Sequence, residues 1–123
     1  MPTRAAARTA TVDPPWQAAS RVGFIADHLG ARELSRLLGV SSGQPTRWRQ
    51  GKEAPGPESA QAIVDLDYVL ARLFQVWEIP VALDWLTTGN SFLDGARPLD
   101  VVLKRGPHEV VDALDAEAAG SFA

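Results

Sequence analysis

The sequence predicts an all-α fold, with an N-terminal helical bundle followed by a small helical C-terminal domain. Apolar residues recur three and four positions apart along most of the chain, which is the periodicity of a helix with one buried face. Prolines stand where several of these segments begin and glycines where they end, as helix termini favour. No stretch of alternating apolar and polar residues is long enough to indicate a strand.

Composition narrows the classes of function. At 123 residues the chain is long enough for one domain, or for one domain with a tail. It has no cysteine, which excludes disulfides, thiolate zinc sites and cysteine nucleophiles, and its histidines are His28 and His108. We therefore expect no metal and no cofactor. No apolar run approaches the roughly 18 residues of a membrane span, and no segment resembles a secretory signal, so the predicted location is the cytoplasm.

Charge is distributed unevenly along the chain. The net charge is −3, but residues 1–52 hold eight Arg and Lys against three acids, a balance of +5. Residues 53–123 hold four Arg and Lys against twelve acids, a balance of −8. A basic first part and an acidic second part suggest two surfaces with different partners, although solvated helix faces account for part of the acidic charge.

The first element predicted along the chain is a tail. Residues 1–19 mix Ala, Thr, Arg and Pro without periodicity, so we predict that they are flexible; a basic arm that touches DNA is the alternative. Ser20 is the predicted cap of the first helix, and Gly30 ends it. The apolar side chains of this helix fall on one face: Val22, Ile25, Ala26 and Leu29.

The region 20–56 has the order of elements of a helix-turn-helix. A second short helix over 31–38 places three leucines on one face and ends at Gly39, which suits a left-handed C-terminal position. A supporting helix, a tight turn and a short helix with exposed polar and basic side chains are what reading of the DNA major groove requires.

The third helix carries the polar and basic side chains. Ser41 or Ser42 is its predicted cap, and Pro45 and Trp48 lie three positions apart, so both should face the core. Proline is tolerated in a first turn, where the backbone N–H lacks an intrahelical partner in any case.

This stretch, with "LGVS", a core tryptophan and a glycine that ends the helix, resembles the Cro/Xre family of helix-turn-helix proteins. The resemblance implies base-reading positions at Ser42, Gly43 and Arg47 and a phosphate contact at Ser41. Gly43 has no side chain, so direct readout would rest mainly on Arg47, whose guanidinium suits guanine. A helical hairpin with an arginine-rich exposed face is the alternative. The predicted DNA-binding residues are Ser41, Ser42, Gln44, Thr46, Arg47, Arg49 and Lys52.

A long helix is predicted over residues 57–78, with Pro57 at its first position. A helix that is apolar over so much of its circumference is usually buried between layers or paired with another chain. We interpret it as a connecting helix that contributes to a homodimer, since paired DNA half-sites need two readers. Its apolar residues are Ile63, Val64, Leu66, Tyr68, Leu70, Leu73, Val76 and Trp77.

Three more helices are predicted at 80–88, 98–105 and 107–119, each beginning at proline and stopping at or near glycine. Lys104 and Arg105 fall in a last turn and Glu109 in the next first turn, where each favours the helix dipole.

Short motifs recur through residues 85–123: Trp85, Leu86, Asn90, Leu93, Gly95, "RPLDVV" from Arg97, Gly106, Val110, Leu114 and a terminal "GSF". In this order they resemble the C-terminal toxin-binding domain of the Xre/MbcA/ParS-type antitoxins. With the helix-turn-helix in front, the resemblance covers about residues 20–123, and it implies that 79–123 is a toxin-binding domain. One departure is Gly89, where members often have proline.

The resemblance also implies a partner and a mechanism. Such antitoxins neutralise RES-domain toxins, which destroy cellular NAD⁺, and the antitoxin C-terminus plugs the entrance of the toxin active site. The ring of Phe122 and the terminal carboxylate of Ala123 suit a pocket built for an aromatic ring and phosphates. A terminus whose Phe122 folds back on the chain's own core is the alternative. The toxin-binding residues so implied are Asp112, Asp115, Glu117, Gly120, Ser121, Phe122 and Ala123.

No catalytic arrangement is evident in the sequence. His108 at a helix start is more simply a surface or capping residue, and Asp65 and Asp67 point to different faces of one helix. There is no Gly-rich phosphate loop. The predicted function is that of a type II antitoxin, forming a homodimer and a hetero-oligomer with a RES-domain toxin and repressing its own operon through operator DNA. The alternatives are a Cro/Xre-type regulator without a toxin and a helical adaptor that binds protein only.

Overall fold

The structure is a computed structural model that describes the backbone of residues 15–120 and the side chains of residues 17–120. Over this range it contains no strand, which confirms the all-α fold class. None of the described helices is both long and apolar enough to cross a membrane. The elements are α1 (Pro15–Leu29), α2 (Ala31–Leu38), α3 (Gln44–Arg49), α4 (Pro57–Val76), α5 (Ile79–Thr87), a 3₁₀ turn (Ser91–Leu93), α6 (Pro98–Arg105) and α7 (His108–Gly120).

The chain divides into two compact units, and the boundary falls inside α4, between Ala60 and Gln61. The first unit contains α1, α2 and α3, and the second contains the rest of α4 with α5, α6 and α7. The functional ranges expected from the sequence, 20–56, 57–78 and 79–123, stay predictions.

Helix α1 begins at Pro15, so the prediction that Ser20 caps it is wrong. Proline fits a first helical turn because its missing N–H would have had no partner there, and the alanines that follow favour helix. Five residues of the predicted tail are therefore helical, and residues 1–14 lie outside the described part of the chain. The buried face of α1 contains Val22 and Ile25, both fully buried, as the periodicity predicts.

Helices α2 and α3 pack against α1 and against each other. Helix α2 has the predicted bounds, Leu34 is fully buried, and Gly39 adopts the left-handed conformation (φ 68°, ψ 32°) expected at its end. The hydroxyl of the buried Ser35 donates to the Arg32 carbonyl at 2.7 Å, which satisfies it inside the helix.

Neither Ser41 nor Ser42 caps α3, contrary to prediction; the cap position is occupied by Gly43. The Gln44 N–H donates to the Ser41 carbonyl at 3.0 Å, so a turn occupies the residues that were expected to cap the helix. Pro45 is the second helical residue, and both Pro45 and Trp48 are buried, as predicted.

In the second unit, α4 is buried along one face and exposed along another. Tyr68 and Val76, which were expected to widen the buried stripe, are 45% and 43% exposed. The helix ends at Val76, although the Trp77 N–H still donates to the Leu73 carbonyl at 2.9 Å. The buried positions of α4 are Ile63, Leu66, Val69, Leu70 and Leu73.

The remaining helices follow in sequence, with α5 packed on α6, α6 on α7 and the 3₁₀ turn on α7. Asn90 closes the loop between α5 and α6. Its N–H donates to the Ala96 carbonyl at 3.0 Å, and its own carbonyl accepts from the N–H groups of Leu93 and Gly95. Its side-chain oxygen also accepts from the Phe92 N–H at 2.9 Å. One asparagine therefore fixes the shape of the whole loop.

Candidate functional sites

The polar side chains predicted to face DNA are placed on α3 and its flanking turns. Arg47 and Gln44 are half-buried. The exposed residues of this set are Ser41, Ser42, Thr46, Arg49 and Lys52.

Arg47, the principal predicted base reader, is held by neighbours of the same unit. Its Nε donates to Glu53 Oε1 at 2.9 Å, and its Nη2 donates to Ser41 Oγ at 3.3 Å and to the Gln44 side-chain oxygen. Gln44 in turn donates to Glu53 at 3.0 Å. Three of the predicted DNA-binding residues thus form one network around a carboxylate, and that carboxylate compensates the charge of Arg47.

Gly43 leaves room for this arrangement. A Cβ at position 43 would lie 2.9 Å from Arg47 Nη1, so a side chain there would require the end of the flexible Arg47 side chain to shift. The sequence predicts that position 43 offers no side chain to a base, and the structure adds that a side chain there would displace the Arg47 guanidinium.

Arg49 is also paired within the first unit, with Asp27 of α1 at 2.9 Å. The sequence reasoning did not identify Asp27 and Glu53 as partners of these arginines. Glu53 follows Arg47 by six residues across a turn, and Asp27 lies on another helix, so helical spacing gives no signal for either pair.

The three acids predicted to bind the toxin are all exposed on α7 but do not form one face. Asp112 lies 3.5 Å from His108 Nε2, and Asp115 accepts from Arg72 Nη2 of α4 at 3.3 Å. Glu117 is five residues beyond Asp112, about 140° around the helix axis, so these two carboxylates point in different directions, and the role of the three acids in toxin binding stays a prediction. Gly120, the last residue of α7, is exposed; Ser121, Phe122 and Ala123 lie outside the described residues.

A groove of about 410 Å³ in the second unit was not anticipated from the sequence. The rings of Trp77 and Trp85 meet in it, with their centroids 5.5 Å apart and their planes tilted by 51°. The Nε1 of Trp85 is buried and has no hydrogen-bond partner in the described residues. The groove is lined by Trp77, Val81, Asp84, Trp85, Thr88, Gly89, Asn90, Ser91 and Glu117.

Gly89 is required where the groove wall turns. A Cβ at this position would lie 2.8 Å from the Gly95 backbone carbonyl oxygen, a distance that real Cβ atoms essentially never show. The loop closed by Asn90 therefore allows no side chain here, which gives a physical reason for the glycine where the resembling antitoxins often have proline.

The corner between α6 and α7 contains the predicted dipole-favouring charges, joined by a bidentate ion pair. Arg105 Nε and Nη2 donate to the two carboxylate oxygens of Glu109 at 2.6 and 3.0 Å. This hydrogen bonding lowers the pKa of Glu109 below its usual 4.5. On α4, burial raises the pKa of Asp65 above 3.8, against a smaller opposite effect of the hydrogen bond from Gln61.

No family model matches the sequence. The mycobacterial cidal antitoxins MbcA of Mycobacterium tuberculosis and Mycobacterium bovis are 28% identical over 106 residues, which is 85% of this chain and 94% of theirs. A chain in the crystal structure of the M. tuberculosis MbcT–MbcA toxin–antitoxin complex superposes with a TM-score of 0.71 at 28% identity, covering 85% of this chain and 96% of that chain. Because sequence and fold agree over nearly the full length of both proteins, this chain is a homologue of the MbcA antitoxins.

Proposed function

We propose that this chain is the antitoxin of a type II toxin–antitoxin pair and that it binds and inhibits a RES-domain toxin that degrades NAD⁺. The observation that carries the proposal is the similarity to MbcA, which extends over 85% of this chain and 94% of the relative. The solved neighbour comes from a toxin–antitoxin complex, which supports a protein toxin as the partner here. The RES class of that toxin rests on the resemblance of residues 85–123.

The inhibitory element in this proposal is the C-terminal end, Gly120 to Ala123. Helix α7 runs to Gly120 and is exposed over its last turns, so the residues that follow start from an accessible position. Phe122 supplies an aromatic ring, a chemical feature of a dinucleotide that a toxin pocket would recognise. Asp112, Asp115 and Glu117 contribute charge along the approach to this end.

Deletion of residues 120–123 tests the mechanism directly. Co-expressed with its toxin, the truncated chain should fail to restore growth, whereas the intact chain should restore it. A Phe122→Ala substitution should weaken rescue by removing the ring without shortening the chain. The measurements are colony counts and intracellular NAD⁺ after toxin induction.

A variant that lacks residues 1–14 is the matched control, because it loses a terminal segment of larger size from the other end of the chain. We expect it to rescue growth fully. Undiminished rescue by the C-terminal deletion would overturn the plugging mechanism. Loss of rescue by both truncations, with helical circular dichroism intact, would place the inhibitory contact elsewhere.

Autorepression through the helix-turn-helix is a second part of the proposal. It is supported by the order of α1, α2 and α3 and by the exposure of Ser41, Ser42 and Thr46 beside Lys52. Binding to a fragment of the upstream region should weaken with salt by about 0.9 in log–log slope for each phosphate neutralised. A flat salt response would contradict phosphate binding by this face.

Without a toxin partner, the same unit would be a Cro/Xre-type regulator, and a chain that binds only protein would be a helical adaptor. The neighbouring reading frame distinguishes these alternatives, since a RES-type toxin beside this sequence favours the antitoxin. Pull-down of that toxin from a co-expression lysate then tests the pair.

A homodimer formed through α4 completes the proposal. Tyr68 and Val76 lie about two helical turns apart on this helix, on either side of Arg72, and are 45% and 43% exposed, so both offer apolar surface to a second copy. Sedimentation velocity should detect a dimer that a Tyr68→Ser and Val76→Ser double variant shifts to monomer.

A further inference from the structure

We infer that the groove between Trp77 and Trp85 binds an arginine side chain of the partner protein, as a contact separate from the C-terminal end. The inference rests on the proposed function for the identity of the partner. The chemistry of the groove itself is independent of that identity.

The groove offers aromatic faces to a flat cation. The indoles of Trp77 and Trp85 are tilted by 51° at 5.5 Å between centroids, and both side chains are only partly buried, so ring surface faces the opening. Tryptophan is the best aromatic partner for a cation, and a desolvated cation–π contact is worth about 2 kcal/mol. Two indoles at one opening can contact both the edge and the face of a guanidinium.

Acidic side chains stand at the same opening. Asp84 of α5 and Glu117 of α7 line the groove from two different helices, and both are exposed. A carboxylate accepts two parallel N–H groups from a guanidinium, a geometry that lysine cannot supply. The hydroxyls of Thr88 and Ser91, also in the lining, add acceptors for the remaining donors.

The negative charge of the chain around the groove favours a positively charged ligand. Residues 73–96 contain Glu78, Asp84 and Asp94 and no Lys, Arg or His, and residues 106–123 contain no Lys or Arg. A nucleotide or nucleic acid would therefore meet like charge on both sides of the groove, whereas a cation meets a complementary field. The occupant that fits aromatic faces, carboxylates and this field is an arginine on a protein surface.

The groove chemistry can be tested without the toxin. The probe is N-acetyl-arginine amide, with N-acetyl-citrulline amide as its neutral isostere, and the readout is the indole N–H signals in a ¹H–¹⁵N spectrum of the full chain. We expect saturable shifts of the Trp77 and Trp85 signals with the arginine probe alone. Equal shifts with both probes, or shifts confined to Trp16 and Trp48, would overturn the inference.

Two variants sharpen this titration. Asp84→Asn with Glu117→Gln removes both groove charges from exposed positions and should abolish the response to the arginine probe. Asp94→Asn is the matched control, since it removes one acid from the same unit outside the groove and asparagine tolerates the left-handed conformation that Asp94 adopts (φ 58°). The control should respond like the unmodified chain.

Other occupants give different outcomes. If the chain's own N-terminal arm, which carries Arg4 and Arg8, filled the groove, deletion of residues 1–14 would move the Trp77 and Trp85 signals without any probe. If a second copy filled it, the signals would move with protein concentration. Either result would overturn the assignment to a partner protein.

With the toxin, the double variant should bind about tenfold more weakly, and its dissociation constant should change less with salt than that of the intact chain. Unchanged affinity of the double variant beside lost rescue by the 120–123 deletion would reject the groove contact and leave the proposed function standing. Absence of toxin binding by the intact chain would reject the proposed function, while the probe titration would still decide the groove.

Discussion

In the first unit, Arg47 and Arg49 of α3 form ion pairs with Glu53 and Asp27, whereas in the second unit Asp84 and Glu117 line a groove on stretches of chain without Arg or Lys. By composition alone, the first part of the chain is basic and the second part is acidic, and both net charges look equally available to partners. In the folded chain they differ, because much of the positive charge of α3 is compensated inside its own unit. The charge that a surface presents to a partner therefore depends on the ion pairs within the chain as well as on its composition.

The two units also differ in where apolar surface remains exposed. The large exposed apolar side chains described by the structure are Tyr68, Val76, Ile79, Val81 and Phe92, and all lie in the second unit. Exposed apolar groups of this size are characteristic of protein–protein contact surfaces. This asymmetry favours protein binding as the main activity of the second unit.

Trp48 gives the largest expected effect on the first unit. It is 2% exposed, and its Nε1 has no hydrogen-bond partner among the described residues. Trp48→Ala should lower the free energy of unfolding by about 3–5 kcal/mol through lost contacts and a cavity. Trp48→Phe should cost much less, because it removes a buried N–H that is itself unfavourable. Urea unfolding followed by circular dichroism measures both, and equal losses would contradict the smaller cost expected for phenylalanine.

Gly89 gives the largest expected effect on the wall of the groove. Gly89→Ala places a Cβ 2.8 Å from the Gly95 carbonyl oxygen, which must move, and should cost about 1–3 kcal/mol of unfolding free energy. Gly56→Ala in the first unit is the control, since a Cβ there meets nothing within 4 Å. Thermal melts compare the two variants, and equal melting temperatures would contradict the close approach at Gly89.

The sequence predicts local structure well where one helix determines it. Gly39 at the end of α2 and Pro45 with Trp48 in the core of α3 follow from helical periodicity and terminus preferences alone. Helix starts are less certain, because Pro15 and Ser20 are both acceptable first-turn signals and only tertiary packing decides between them.

The sites are less predictable because they depend on contacts between elements. The pairs Arg47–Glu53 and Arg49–Asp27 join residues with no helical spacing in common. The groove needs Trp77 and Trp85 to meet across two elements, and the sequence shows only two tryptophans eight residues apart. The roles of Gly120 to Ala123 in toxin binding stay predictions.

Glu53→Gln tests whether pairing limits DNA binding by the first unit. The amide can still accept a hydrogen bond from Arg47, but the ion pair is lost, so the guanidinium becomes more available to phosphate and bases. Exposed ion pairs of this kind are worth up to about 1 kcal/mol, so affinity for the upstream fragment should rise about threefold to fivefold. Glu58→Gln makes the same change in net charge without altering the Arg47 network and should have a smaller effect. Equal gains from both variants, in fluorescence anisotropy, would show that only net charge matters.

The smallest expected effects are on pH dependence, and they have opposite signs at two acids of the second unit. Because burial raises the pKa of Asp65, ionisation of this group opposes folding once the pH passes its folded pKa. Asp65→Asn should therefore raise the melting temperature at neutral pH and lose that advantage below about pH 3.8, the pKa of the unfolded chain.

Because the hydrogen bonds from Arg105 lower the pKa of Glu109, the stabilisation by this carboxylate is present above pH 4.5 and is lost as the pH falls through the folded pKa. Glu109→Gln should accordingly lower the melting temperature at neutral pH and have little effect in acid. Melts of both variants from pH 7 to about pH 3 should diverge in opposite directions from the parent at neutral pH and converge on it in acid, and a shared direction at neutral pH would contradict the assigned cause at one of the two sites.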